Sequence, residues 1–466
     1  MEGLSRKLHR LGVNRAIGFG VLTRVWGLAA GPVTILFVAS RLSQVEQGFY
    51  YTFSSLLALQ VFFELGLMFV IAQFASHEFV GLRWGEGGRV EGDPVNLGRF
   101  TSLLGKSVTW FFVAATLLVA VLIPCGLAFL GQGHEGGVGF AWRLPWMVAV
   151  AGTAANLLAV PFMAVIMGSG DVASVNQREC LGAVAGNCAC WAIFLLQGGL
   201  YAACAVSWGN AVVSWGYLLR KKPDLLRRGL GKRGSGSDGI GWWREVWPMQ
   251  WKIALSWVSG YFIFQLFTPV LFRYQGPVVA GQMGITLTAS NALFAAAIAW
   301  LSTKSPDFGK LVAVRDWRQL DQLFFRVLGQ ATTFAAVGAA AGWALIKGLQ
   351  TWHPLGQRFI PAGQVAILLA AVCINVVISG LAIYLRAHKR EPFLVVSLIG
   401  ALLQGTATWY LGKNYGSFGI VAGFLAVTML FGLPAAVFVW RRCRAAWHGS
   451  TSSPVDSSEK GCIHGL

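Results

Sequence analysis

The stretch FLLQGGLYAAC, Phe194 to Cys204, decides how this chain is folded. Apolar residues flank it on both sides, and Gln197-Gly198-Gly199 is the only interruption. Read as a turn, it separates a fifth hydrophobic run from a sixth; read as continuous helix, it merges them and inverts the orientation of everything that follows. The rest of the sequence arbitrates. The chain has 466 residues, 55% hydrophobic and 12% charged, with a mean hydropathy of +0.60. That is too apolar for a water-soluble surface and marks a polytopic membrane protein.

Runs near the roughly 20 residues that a helix needs to cross a bilayer fall at 16–39, 49–74, 107–130, 144–169, 179–197, 199–219, 249–272, 278–301, 324–347, 362–386, 392–411 and 416–440. The expected fold is therefore all-α and integral to the membrane, with about twelve spans. With Gln197–Gly199 as a turn, the side holding both termini carries 29 of the 37 Lys and Arg, the other side carries 6, and Arg24 and Lys252 fall inside spans. Basic residues collect on the cytoplasmic side, so this asymmetry supports the twelve-span count and cytoplasmic termini. It also explains most of the net charge of +18 without nucleic acid as a partner. The basic start MEGLSRKLHR is read as the flank of a first span rather than a cleaved leader, because the apolar run is long and further spans follow.

The basic, Gly- and Ser-rich segment around 220–247 divides the chain nearly in half. The expected organisation is an N-terminal six-helix lobe (1–222), a flexible cytoplasmic linker (223–247), a C-terminal six-helix lobe (248–444) and a disordered tail (445–466). The halves echo each other: Pro32 corresponds to Pro269 and Gly48 to Gly281, suggesting a parallel repeat about the membrane normal.

Motifs for catalysis are weak. GQGHEG at 131–136 spells a dinucleotide fingerprint but lies in a short loop between spans, without the strand and helix it requires. HEFVG at His77 lacks the second His of a zinc protease site. No P-loop and no nucleophile–base pairing stand out, the cysteines show no metal spacing, and neither a metal nor a cofactor is expected. The reading is a non-enzyme.

The informative residues are polar ones inside spans. Arg24 sits about 12 Å into the first helix at 1.5 Å per residue, a marginal depth for reaching the headgroups; the alternative is that it faces a water-filled cavity and binds an anion. Gly20, Gly27 and Gly31 suggest close helix packing. Glu64 is the only acid deep within a span, a candidate coupling-ion site or structural partner of Arg24. Lys252, Gln60, Gln265 and Asn291 are candidate substrate-binding residues, although amides inside spans more often join helices. Pro32 and Pro269 interrupt helices and are candidate hinges.

The run from Leu22 to Leu67 and VAGQMGITLTAS from Val279 to Ser290, on a six-plus-six topology, resemble the oligosaccharidyl-lipid flippases of the multidrug/oligosaccharidyl-lipid/polysaccharide (MOP) exporter superfamily, most closely the bacterial Wzx-type branch for O-antigen and surface polysaccharide. Thr23-Arg24-Val25-Trp26-Gly27 also looks like the Ser-Arg-Val-Leu-Gly region of lipid II flippases, whose Arg meets pyrophosphate. The resemblance implies a MATE-like fold of two lobes around a cationic cavity. It further implies alternating access, location in the bacterial inner membrane, and transfer of a polyprenyl-pyrophosphate-linked oligosaccharide to the outer leaflet. Partners implied are that lipid-linked oligosaccharide, membrane lipids, H+ or Na+ as coupling ion, and polysaccharide-assembly proteins. Two alternatives stand beside it: a cation-coupled exporter of small amphipathic compounds on the same fold, and a membrane glycan polymerase or ligase.

Overall fold

The computed structural model describes residues 15–132, 139–231, 241–388, 390 and 392–448, the side chains of 16, 17, 86, 252 and 256 excepted. The GQGHEG run falls largely outside them, as do 232–240 and the tail from 449. Two compact units are present, Met1–Val258 and Ser259–Leu466.

In the first unit, α1 (Arg15–Arg41) precedes a bent pair, α2 (Gln44–Glu64) and α3 (Leu67–Glu78). Ser43 opens α2 with a capping box: its hydroxyl accepts from the Glu46 amide while the Glu46 carboxylate accepts from the Ser43 amide. This satisfies two of the backbone donors that a helix start leaves bare. A short hairpin, β1 (Leu82–Trp84) against β2 (Val90–Gly92), leads to α4 (Pro94–Gly131), α5 (Arg143–Gly168), α6 (Val172–Leu195), α7 (Ala202–Lys221) and a short α8 (Pro223–Leu230). The core gathers Phe49, Phe53, Phe100, Phe111, Trp146, Phe162 and Phe194. Trp146 fits because position 126 is glycine; a methyl there would lie 2.3 Å from its ring.

The junction at Gln197–Gly199 is a turn. Gln197 takes a positive φ of 59°, and α6 and α7 run antiparallel at close range, with Gly182 against Asn210 and Gly186 against Val206. Helix α8, with Leu225 and Leu226 buried, forms part of the stretch expected to be a flexible linker.

α9 (Trp247–Phe264) leads into the second unit, where α10 (Phe267–Gln275), α11 (Pro277–Ala313), α12 (Trp317–Trp352), α13 (Ala362–Arg386) and α14 (Leu394–His448) follow. α14 is a hairpin. As one rod its 55 residues would measure about 80 Å, against a hydrocarbon core of about 30 Å. Gly416 instead takes φ 62°, ψ −143°, and the chain folds back so that a methyl on Gly423 would touch Leu411 and Ala407, and one on Gly400 would meet Phe431 at 3.7 Å. Glycine is needed here because other residues rarely adopt that conformation.

Among the described residues seven helices are long and apolar enough to span alone, and the bent pairs α2/α3 and α9/α10 bring the number to nine. The α14 hairpin supplies a tenth passage, and the less apolar pair α6 and α7 the last two. The all-α architecture of about twelve passages is the one expected. Several helices outrun their apolar stretches. α4 begins at Pro94 and α12 at Trp317, each capped by a preceding aspartate (Asp93, Asp316) whose carboxylate accepts a backbone amide. Hydropathy registers only the part in lipid. Residues 445–448 of the expected tail are the last residues of α14. Gly48 and Gly281 are each the fifth residue of their helices, α2 and α11, in keeping with the repeat.

Candidate functional site

α1 rests one face on α6. Trp26 and Phe37 approach Trp191, the Trp191 indole N–H donates to Thr34 Oγ1 at 2.9 Å, and Phe37 stacks on Phe194. Arg24 lies on a different flank and is exposed. Gly20, Gly27 and Gly31 share that flank, since at 100° per residue they fall within about 60° of Arg24. Among the described residues a methyl at Gly27 or Gly31 would meet nothing within 4 Å, and one at Gly20 would make only ordinary contact with Asn176 at 3.5 Å. Gly27 and Gly31 therefore do not serve close helix packing, as the sequence suggested. They leave a bare strip beside a guanidinium. Pro32 is exposed within α1, which continues through it.

Glu64 ends α2 at a break in the second passage. Leu65 and Gly66 both take left-handed conformations (φ 52° and 64°), and α3 restarts at a 40° bend. Gly66 is doubly constrained: besides its positive φ, a methyl on it would lie 2.6 Å from Ile253 Cγ2 of α9. Glu64 is half-buried and forms no ion pair among the described residues. The proposed Arg24–Glu64 pair is thus not formed. Gln60 sits one turn earlier, half-buried, in the 3-10 turn Ala58–Gln60. A break in a span leaves the helix-terminal backbone groups without intrahelical partners, which is tolerated in a bilayer only against protein or water.

Lys252 lies in α9, its side chain outside the described residues. In the second unit, Gln265 occupies the 44° break between α9 and α10, half-buried, its backbone N–H donating to Tyr261 O. Pro269 follows in the first turn of α10, where its missing N–H costs nothing. Asn291, on α11, lines a small cleft of about 30 Å³ together with Ser290 and Asn375 and the rings of Phe264, Phe267, Phe294 and Phe424. Asn375 is another amide within a span, on α13. Gln282, by contrast, acts as a joint, donating to Gln357 O at 2.8 Å.

Sequence reasoning missed the polar clusters at the basic ends of the helices. Lys222 is buried, with its ammonium 3.2 Å from the centre of the Trp84 ring and 3.9 Å from Asp171; burial lowers its pKa, and Asp171 opposes that. Arg99 bridges Glu78 at 2.9 Å and Glu245 at 3.0 Å, its pKa raised first by the hydrogen bond to Glu78. Glu78 belongs to the HEFVG run rejected as a zinc motif. In the second unit Arg444 pairs with Asp321, which also accepts from the Tyr384 hydroxyl at 2.7 Å. His448 and His388 meet nitrogen to nitrogen at 3.4 Å, and His448 stacks on Trp317. Burial drives the Asp321 carboxyl upward, but the bonds from Arg444 and Tyr384 outweigh it and leave the pKa lowered. Glu78 at 21 residues from Arg99, and Asp321 at 123 from Arg444, are pairings that only the tertiary fold reveals. Among the described residues no group of three or more His, Cys, Asp or Glu is placed to hold a metal ion.

No protein-family model matches the chain, and no curated protein matches it. Solved structures do. An inward-facing multidrug resistance MATE family transporter of the MOP superfamily aligns with a TM-score of 0.58 at 13% identity, covering 90% of this chain and 99% of that one. The lipid II flippase MurJ in an inward-closed conformation gives 0.58 at 11%, covering 91% and 87%. The MATE multidrug transporter DinF-BH in complex with R6G gives 0.58 at 13%, covering 97% and 96%. At such identities the likeness is one of fold: this is a multi-pass membrane protein whose fold is that of these solved structures.

Proposed function

We propose that the protein is an alternating-access flippase that moves a polyprenyl-pyrophosphate-linked oligosaccharide, an O-antigen or other surface-polysaccharide unit, from the cytoplasmic to the outer leaflet of the bacterial inner membrane. The observation that carries this reading is Arg24, about 13 Å from Arg15 along α1, exposed on a flank that Gly27 and Gly31 leave bare. The planar fork of its guanidinium suits a pyrophosphate. The polyprenyl tail stays in lipid while the polar headgroup passes through the protein.

In this cycle Arg24, with Lys252 as a second cation, captures the pyrophosphate from the cytoplasmic side, and Gln60, Gln265 and Asn291 meet the sugars. The 1–222 and 248–444 lobes rock about Pro32 and Pro269, with both termini cytoplasmic as the charge asymmetry argues. Expelling an anion from a negative interior is favoured by about 2.3 kcal/mol per charge per 100 mV. Proteins that assemble the polysaccharide are the expected partners.

A second reading, a cation-coupled exporter of small amphipathic compounds, is favoured by Glu64: a half-buried carboxylate without an ionic partner among the described residues, beside a helix break, is where H+ or Na+ would be expected to bind. In a flippase the same residue would couple the ion to lipid transfer. Proteoliposomes separate the two. The flippase reading expects transfer of a fluorescent polyprenyl-pyrophosphate oligosaccharide and no accumulation of a cationic dye; dye transport without lipid transfer would replace it with the exporter.

A further inference from the structure

A single π turn, Trp242–Val246, leads into α9 and is fastened to α4 at two points. The Trp242 ring stacks on Trp110 of α4, 6.0 Å between centroids and 25° between planes, and the Glu245 carboxylate accepts from Arg99, also on α4, at 3.0 Å. Arg99 is itself anchored, because it donates at 2.9 Å to Glu78 at the end of α3, a residue only 7% exposed. The second Glu245 oxygen accepts the Gly241 amide at 2.7 Å. Beyond the turn, one face of α9 lies against the start of α3. Val246 and Gln250 are fully buried, Ala254 is 9% exposed, Ile253 adjoins Gly66, and the Trp257 ring lies 5.4 Å from that of Phe69.

This seam encloses polar atoms that nothing in it satisfies. Neither the side-chain oxygen nor the nitrogen of Gln250 has a hydrogen-bond partner among the described residues, and the same holds for the buried indole nitrogens of Trp110 and Trp242. Buried polar groups are nearly always paired, since each one left unpaired gives up the hydrogen bonds it makes with water. Closing the seam therefore dehydrates four polar atoms without compensation. The Arg99–Glu245 bond and the Trp110–Trp242 stack offset that loss, and water entering between the helices would satisfy all four atoms at once. Contacts held together against such a penalty are poised to part.

We propose that the seam between the α3–α4 pair and the first half of α9 is a latch. Arg99–Glu245 and Trp110–Trp242 hold it shut in the state seen here; in its open state the seam parts and water reaches Gln250 and both indoles. At Ser259 α9 continues into the second unit, so a latch at its start lets the helix move without unfolding. The latch is a moving part of a transporter, whichever cargo is carried, and it rests on the transporter reading alone.

The test is maleimide labelling of the full chain in lipid nanodiscs, with Ala254→Cys as the probe on the buried face, one turn beyond Gln250. Maleimide reacts with the hydrated thiolate, so the rate at 254 reports how often the seam is open. Peptide mass spectrometry separates this thiol from the native ones, and Cys190, fully buried on α6, reports loosening of the unit as a whole. Glu245→Gln removes the charge that Arg99 holds, and labelling at 254 is expected to rise about three- to fivefold, the upper range for a partly exposed ion pair. Gln250→Leu leaves water nothing to satisfy at that position, and labelling is expected to fall about fivefold. Opposite shifts at 254 with Cys190 unchanged establish the latch, because a fixed contact does not respond in both directions. Unchanged rates, shifts in one direction only, or acceleration of Cys190 in step with 254 overturn it. The flippase reading is tested separately, by lipid transfer.

Discussion

Replacing Gly66 with alanine tests whether the break in the second passage is built as described. Two costs add. The left-handed conformation at φ 64° is penalised by about 1–2 kcal/mol for a residue with a Cβ. The new methyl would also lie 2.6 Å from Ile253 Cγ2, where ordinary contact begins at 3.4 Å. Relieving that overlap means shifting Ile253 or α3 by nearly 1 Å, a distortion of the kind that costs about 1–3 kcal/mol in packed interiors. Gly66→Ala should therefore destabilise by about 2–5 kcal/mol. In an Ile253→Ala background the overlap is gone, and only the conformational part, about 1–2 kcal/mol, should remain. Unfolding by sodium dodecyl sulfate in mixed micelles, followed by labelling of the buried thiols Cys180, Cys190, Cys204 and Cys443, measures all four members of the cycle. Equal losses in the two backgrounds would refute the seating of the break against α9.

Three further outcomes follow from the same structure. Gly416→Ala, at φ 62° and ψ −143°, should cost at least 2 kcal/mol, about the strain of a residue held in a glycine-only region, and the same micelle titration checks it. Burial, with the neighbouring His388 imidazole second, depresses His448 from its ordinary value of 6.5 to about 4. The unfolded chain binds that proton first, so the stabilisation is whole above pH 6.5 and is lost as pH falls toward about 4. Because the site is partly solvated the loss is on the order of 1 kcal/mol, and a pH series of unfolding midpoints should flatten in the His388→Gln/His448→Gln double variant. Glu64→Gln keeps the shape and removes the charge; it should abolish any dependence of transport on an imposed proton or Na+ gradient while leaving potential-driven transfer, a comparison made in proteoliposomes under each gradient separately.

Much of the fold was legible because a bilayer imposes a simple rule, about 20 apolar residues per crossing. Lys and Arg then fixed the reading of Gln197–Gly199 as a turn, which φ 59° at Gln197 and the antiparallel α6 and α7 bear out. The break at Leu65–Gly66 was not legible: both flanks are apolar, and hydropathy is blind to backbone conformation. A glycine two residues after an intramembrane acid was the available signal. The early starts of α4 and α12 were missed because those turns lie outside the apolar stretches, although Asp93 and Asp316 are sequence-level caps. At the site, single residues such as Arg24, Glu64 and Asn291 could be singled out by polarity alone. What they adjoin could not. Gly27 and Gly31 were read as packing residues and instead adjoin open space, while Asn291 adjoins Asn375 and the rings of Phe264, Phe267 and Phe424, all contributed by other helices. The His388–His448–Asp321–Arg444 cluster joins three helix ends far apart in sequence, beyond the reach of any local pattern.

The central claim is that Arg24 holds the pyrophosphate, and transfer of a fluorescent polyprenyl-pyrophosphate oligosaccharide by wild type, Arg24→Ala and Arg24→Lys in proteoliposomes tests it most directly. At equal amounts of folded protein, loss in the alanine variant with partial retention in the lysine variant is predicted, because an ammonium keeps the charge but not the two-pronged hydrogen bond. Equal transfer by all three would contradict the claim and return Arg24 to the headgroups as a snorkelling side chain.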